Sequence, residues 1–201
     1  SSFSSRAILP AGRSPYQPAY LVPRERVAGD MPPFEYALYE GASQWRVRAP
    51  GHVVASLGEP AFQRTPEHYT SHAQSPFDHL TEYAALARSG RVALFGFPLG
   101  SSYYKQGYWI YRLAFQHVLG QIFPSQAVTS NAPLSTEITL THKARGASRK
   151  KRFLVHVVNF SGLRHTPKHP DFYEDPIALT DVQIRLSIPM VVGSARAVVA
   201  G

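Results

Sequence analysis

The stretch "DHLTEYAALARSGRVALFGF", Asp78 to Phe97, decides how the chain is read, because it sets the order of helices and strands around it. Its first half has helical spacing. Leu80, Tyr83, Ala84 and Ala87 fall on one face, Asp78 stands where a cap belongs, and Gly90 sits where a helix should stop. Its second half, "RVALFGF" (Arg91 to Phe97), is nearly continuous in apolar residues, as expected of a strand covered on both faces. The stretch therefore predicts a helix and then a buried strand.

Working outward, "FEYALYE" (Phe34 to Glu40) and "HVVASL" (His52 to Leu57) read as short strands on the N-terminal side. The first thirty residues, rich in Pro, Gly and Ser, are expected to be mostly irregular. Beyond the Pro98-Leu99-Gly100 break, "GYWIYRLAFQHVLGQIF" (Gly107 to Phe123) reads as a helix with Ile110, Leu113, Ala114 and Val118 buried. Strand, helix, strand, helix in this order predicts an α/β layer with a parallel sheet. From Thr136 the texture changes. "TEITLTH" (Thr136 to His142), "RFLVHVVNF" (Arg152 to Phe160) and "DVQIRLSI" (Asp181 to Ile188) alternate apolar and polar residues, the period of half-buried antiparallel strands. "ARAVVAG" (Ala195 to Gly201) reads as one more strand. The expected layout is an α/β domain over residues 1–125 and an all-β domain over residues 126–201.

Composition narrows the function classes. With 201 residues, 44% hydrophobic and 12% aromatic, the chain can bury a core. There is no apolar run long enough for a transmembrane helix, so no membrane partner is expected. Without cysteine there is neither a disulfide nor thiolate chemistry. The N-terminus, lacking an initiator Met and a long apolar core, reads as the start of a processed or excised segment rather than an intact secretory signal. The net charge of +8 favours anionic partners in general. Its densest cluster, "KARGASRKKR" (Lys143 to Arg152), lies between two alternating runs and has no interleaved aromatics. A solvated hairpin tip accounts for it better than a nucleic-acid surface, and no nucleic-acid partner is expected.

The densest chemistry is "RTPEHYTSHAQSPFDH", Arg64 to His79, with three of the nine histidines and two acids. Thr65-Pro66-Glu67 is a helix-start pattern, and a following turn would put His68 and His72 four apart on one face. That spacing suits two ligands of one metal, with Glu67, Asp78 or His79 as a third. It lacks the glutamate placed directly after the first His in zinc proteases, so it carries no metal assignment. The same histidines suit acid–base work or hydrogen bonding to a polar ligand. They equally suit a loop that braces its own backbone. "GFPLGSS" (Gly96 to Ser102) matches no nucleotide fingerprint, and reads as a plain strand-to-helix connection. Tyr103, Tyr104, Tyr108 and Trp109 suit sugar stacking or simply the core. Glycoside hydrolysis needs two facing carboxylates, and Glu35, Glu40, Glu59, Glu67, Asp78 and Glu82 form no pattern that identifies such a pair.

Four blocks in order carry a family resemblance: "GDMPPFEYALYEG" (Gly29 to Gly41), "EPAFQRTPEHYTSHAQSP" (Glu59 to Pro76), "GRVALFGFPLGSSYYKQGYWIYRLAFQHVLGQIFP" (Gly90 to Pro124), and "FLVHVVNFSGLR…YEDPIALTDVQIRLSIP" ending at Pro189. Together they resemble the C-terminal half of large glycosyl hydrolases related to α-L-fucosidases. In those proteins a (β/α)8 barrel precedes a β-galactosidase trimerisation-type domain, flavodoxin-like in fold, and a small β-sandwich. The resemblance implies that the catalytic acids lie on a barrel segment or subunit outside these residues, so no catalytic residue is assigned. It further implies that Arg64, Glu67, His68, Ser71 and His72 border a carbohydrate substrate's pocket, and that the chain works in a homo-oligomer such as a trimer. No cofactor or metal is expected. The rival readings are a stand-alone non-catalytic carbohydrate-binding or assembly module, and a basic module binding nucleic acid through Lys143 to Arg152.

Overall fold

A computed structural model describes residues 7–24, 31–143, 152–160, 177–189 and 191–198. The chain divides into two compact units, Ser1–Pro124 and Ser125–Gly201. The first contains strands β1 (Ile8–Arg13), β2 (Ala19–Pro23), β3 (Tyr36–Leu38), β4 (Ser43–Val47), β5 (His52–Pro60), β6 (Phe77–Ser89) and β7 (Val92–Phe95), then helices α1 (Leu99–Gln106) and α2 (Trp109–Ile122). The strands form one seven-stranded sheet in the order β1-β4-β6-β5-β2-β3, with β7 also paired to β6.

Every ladder in that sheet is antiparallel, and no parallel pair occurs among the described strands. This corrects the expectation of a flavodoxin-like α/β domain built on a partial parallel sheet. The error traces to Asp78–Gly90. Those residues are not a helix but most of β6, which pairs with β5 from Phe77 to Arg88 and with β7 from Leu86 to Ser89. Four consecutive residues, Ala84 to Ala87, are buried. Ala85 and Leu86 join the main core while Ala84 and Ala87 pack with Ile8 in a smaller cluster, so β6 supplies two apolar clusters. A strand buried in this way loses the alternation that marks a half-exposed one. Its alanines and leucines are strong helix formers besides, and tertiary pairing overrides that weak preference. Gly90 is not a helix end. At φ +57° it opens the tight turn between paired Ser89 and Val92, a left-handed conformation that a helix stop and a hairpin both demand.

The expectation of an irregular N-terminus is also corrected, since β1 and β2 are strands. Among the described residues β1 pairs only with β4, and its register shifts between Pro10 and Gly12. An edge strand tolerates such a proline because one side of its backbone needs no partner. α2 agrees with the sequence reading in its position; of the expected stripe Ile110, Ala114 and Val118 are buried, Leu113 is partly buried, and Tyr111 is buried besides. These residues share one core with Leu21, Leu38, Leu57 and Leu86 of the sheet. Tyr111 anchors the layer. Its ring packs against Phe97 and Tyr108, at 5.3 Å from each, and its hydroxyl donates to Ala37 O at 3.0 Å. Burial above all pushes the Tyr111 phenol well above its usual value, so it remains a neutral donor.

The second unit is antiparallel, as its alternation suggests. β8 (Val128–Ser130) pairs with β11 (Ile184–Leu186), and β9 (Thr136–Lys143) pairs along its whole length with β10 (Arg152–Asn159). The strand expected over Ala195–Gly201 is not formed at 195–198, and 199–201 fall outside the described residues. The basic cluster also falls outside them, apart from Lys143 and Arg152, which pair across the ladder.

Candidate functional site

The histidine-rich stretch forms the connection between β5 and β6. Ala61 N–H donates to Pro76 O at 2.9 Å and closes its base. The Thr65 start signal works only locally. Thr65 Oγ1 accepts the His68 N–H at 3.1 Å, as an N-cap would, but a single turn results and no helix follows. His68 is held instead by a parallel stack on Phe62, with centroids 3.8 Å apart and planes 8° apart. Arg64 reaches across the loop to Thr70 O at 3.4 Å. The Thr70 hydroxyl lies 2.9 Å from His72 O and 2.8 Å from Gln74 O, one proton serving two carbonyls.

The loop's descending limb is tied to the sheet. The Tyr39 hydroxyl bonds to Gln74 Oε1, and the Tyr20 hydroxyl donates to the carbonyl of buried Ser75. Burial, assisted by the neighbouring Tyr39 and Glu35, raises the Tyr20 phenol above its usual value, which keeps that donor protonated. The base is therefore fixed while the tip is open. Arg64, Glu67, His68, Ser71 and His72 are all exposed on it. With no helix, His68 and His72 do not share a helical face. Among the described residues no group of three or more His, Asp or Glu side chains is placed to hold a metal ion. His79 belongs to the strand at the loop's foot, where its Nδ1 lies 2.8 Å from Asp78 and its Nε2 3.7 Å from Glu59.

Beside this loop lies a cleft of about 470 Å³ that the sequence reading missed. Its walls are Arg13–Gln17 from the end of β1 onward, Glu40–Ser43 leading into β4 together with Trp45, Gln63 from the loop, and Phe95–Pro98 from the end of β7 onward. Backbone bonds join these segments: Ser14 N–H to Ala42 O at 2.9 Å, and Ser43 N–H to Gly96 O at 2.5 Å. Gly96 is required there, because a Cβ would come within 2.9 Å of Ser43 O and 3.1 Å of Trp45 Cδ1. Gln17 Nε2 donates to Tyr39 O at 2.9 Å, and Lys105 of α1 holds Glu40 at 2.5 Å. Of these, Glu40, Gly41, Gln63 and Phe95–Pro98 fall in stretches singled out in the sequence, none of them for a shared cleft. The rest come from Pro- and Ser-containing turns whose convergence depends on sheet order, so no local signal announces them.

No family model matches the sequence, and no curated protein matches it. Among solved structures, the α-L-fucosidase isoenzyme 2 from Paenibacillus thiaminolyticus does, with a TM-score of 0.78 at 20% identity over 91% of this chain. The fold is thus that of part of an α-L-fucosidase. This chain spans 27% of that protein's length.

Proposed function

We propose that the chain is a non-barrel portion of an α-L-fucosidase-like glycoside hydrolase, contributing oligomer contacts and part of the wall of a sugar pocket. The observation that carries this reading is the fold likeness over 91% of the chain to a portion of a much longer fucosidase. The acids are consistent with a supporting role. Glu40 is paired with Lys105, Glu82 with Arg46, and Glu59 and Asp78 flank His79. The Arg46 hydrogen bond holds Glu82 below the usual carboxylate range, the opposite of what a general acid in glycoside cleavage needs. The bond-breaking carboxylates then belong to a (β/α)8-barrel segment or subunit, and the partners are that barrel and further copies of the chain.

In this reading the loop tip is the pocket wall. Sugar hydroxyls both donate and accept, and Arg64, Glu67, His68, Ser71 and His72 offer both kinds of group from a braced base. His68→Ala and His72→Ala in the assembled, barrel-containing enzyme test it with a nitrophenyl fucoside. Each is expected to lower kcat/KM about tenfold, the loss of one hydrogen bond to the bound sugar. Unchanged kinetics in both variants would reject the wall role and leave a loop that only braces itself.

A further inference from the structure

The cleft is made entirely by the first unit, and the hydrolase reading makes no use of it. We propose that it is a carbohydrate-binding subsite that holds one pyranose unit of a neutral glycan through this chain's own residues. Its volume of about 470 Å³ lies within the range of roughly 300–1,000 Å³ typical of small-molecule clefts. Its chemistry suits a sugar better than an ion or a purely apolar ligand. A pyranose presents hydroxyls that donate and accept together with patches of C–H carbon. Gln17 and Gln63 offer carboxamides capable of both roles, Glu40 offers acceptor oxygens, and Tyr16, Trp45 and Phe95 supply aromatic carbon.

The charges argue the same way. Arg13 and Glu40 line the cleft with opposite signs, and Lys105 lies 2.5 Å from Glu40, so one net positive charge remains rather than a cluster of one sign, and sulfate is the ion that probes it. The walls are also set in advance. Gln17 is fixed by its bond to Tyr39 O at 2.9 Å, and the flanking backbones are tied by the Ser14–Ala42 and Ser43–Gly96 bonds. Groups fixed before binding lose little freedom when a ligand arrives, which matters most for a weak, polar ligand.

The chain has two tryptophans, so Trp109→Phe leaves Trp45 in the cleft as its single reporter. Titration of that variant with L-fucose, D-galactose and D-glucose, and separately with sodium sulfate, is expected to give a saturable emission change with at least one sugar. A Kd of about 1–10 mM, corresponding to roughly 3–4 kcal/mol, suits a single ring. Gln63→Ala, at an exposed position, should weaken binding about tenfold, and Tyr16→Ala should do likewise. Three results overturn the proposal: no saturable response to any of the sugars, a response undiminished in Gln63→Ala, or sulfate binding as tightly as sugar. Turnover plays no part in the titration, so failure of the hydrolase reading would leave its result intact.

Discussion

Strands β6 and β10 are both long, both carry runs of aliphatic residues, and both pair with antiparallel neighbours, yet their surroundings differ. Ala85, Leu86 and Ala87 of β6 are fully covered, whereas Leu154, Val157 and Val158 of β10 are between 43% and 47% exposed. Among the described residues every buried one lies in the first unit and none in the second. Hydrogen bonding does not separate the two strands, because each has its ladder. Coverage does: β6 has neighbours on both edges and feeds two apolar clusters, while among the described residues β10 has one neighbour and leaves aliphatic side chains exposed. Burial of apolar area, at about 25 cal/mol per Å², is the main favourable term of folding, and among the described residues it is concentrated in the first unit.

Leu86→Ala against Leu154→Ala tests that difference most directly. The first removes a side chain with no exposed surface and should cost about 2–5 kcal/mol. The second should stay within about 0.5 kcal/mol in urea unfolding. Hydrogen exchange should rank the strands the same way, with β6 amides slower than those of β10. Equal effects in the two strands would mean that β10 is covered by something the described residues do not supply.

Gly96→Ala comes next. The added methyl meets Ser43 O at 2.9 Å, a backbone atom that cannot swing aside, and crowds Trp45 as well. An overpacking cost of about 1–3 kcal/mol is expected, read as a lowered unfolding midpoint. Sugar titration of this variant would then report a cleft whose back wall has shifted.

Tyr111→Phe has a smaller effect with a distinct pH signature. Losing the bond to Ala37 O should cost about 1 kcal/mol at neutral pH. The folded phenol ionises later than the unfolded one, whose usual value is 10.0, because burial disfavours the charge. Its contribution is therefore complete below pH 10 and is lost as pH rises toward the folded value. The variant should lose less stability than the parent between pH 10 and about 12, and parallel curves would remove this group from the alkaline transition.

The same contrast explains how much the sequence could reveal. α2 was legible because its buried side repeats every three to four residues and the other side faces water. β9 and β10 were legible because one residue in two is partly covered, the alternation that a sheet with a wet face imposes. β6 was not, since contacts distant in sequence bury Ala84 to Ala87 in succession, and only the finished sheet order shows it. The candidate loop was conspicuous for its residue types, but its shape was not. Thr65 gave a capping bond without a helix, because the Phe62–His68 stack and the Tyr20 and Tyr39 anchors act across the fold. The cleft was invisible for the same reason, its four walls meeting only once β1, β4 and β7 are in place.

The smallest expected effect is at the Arg46–Glu82 pair, where coverage is again the deciding quantity. Arg46 Nη2 lies 2.5 Å from Glu82 Oε1 and 3.2 Å from the Tyr83 hydroxyl, with the guanidinium 5.1 Å above the Tyr83 ring. The Arg46 hydrogen bond lowers the Glu82 carboxyl from its usual 4.5, so the pair stabilises the fold above that pH and ceases to do so as pH falls through the folded value. Side chains 48% and 62% exposed are screened by water and salt, however, which leaves such a pair with little net worth. Glu82→Gln should therefore flatten the acid limb of the stability profile without a resolvable change at neutral pH, and high salt should erase even that difference. A clear loss of stability at neutral pH would show that this part of β4 and β6 is shielded from water, as Ala84 to Ala87 are.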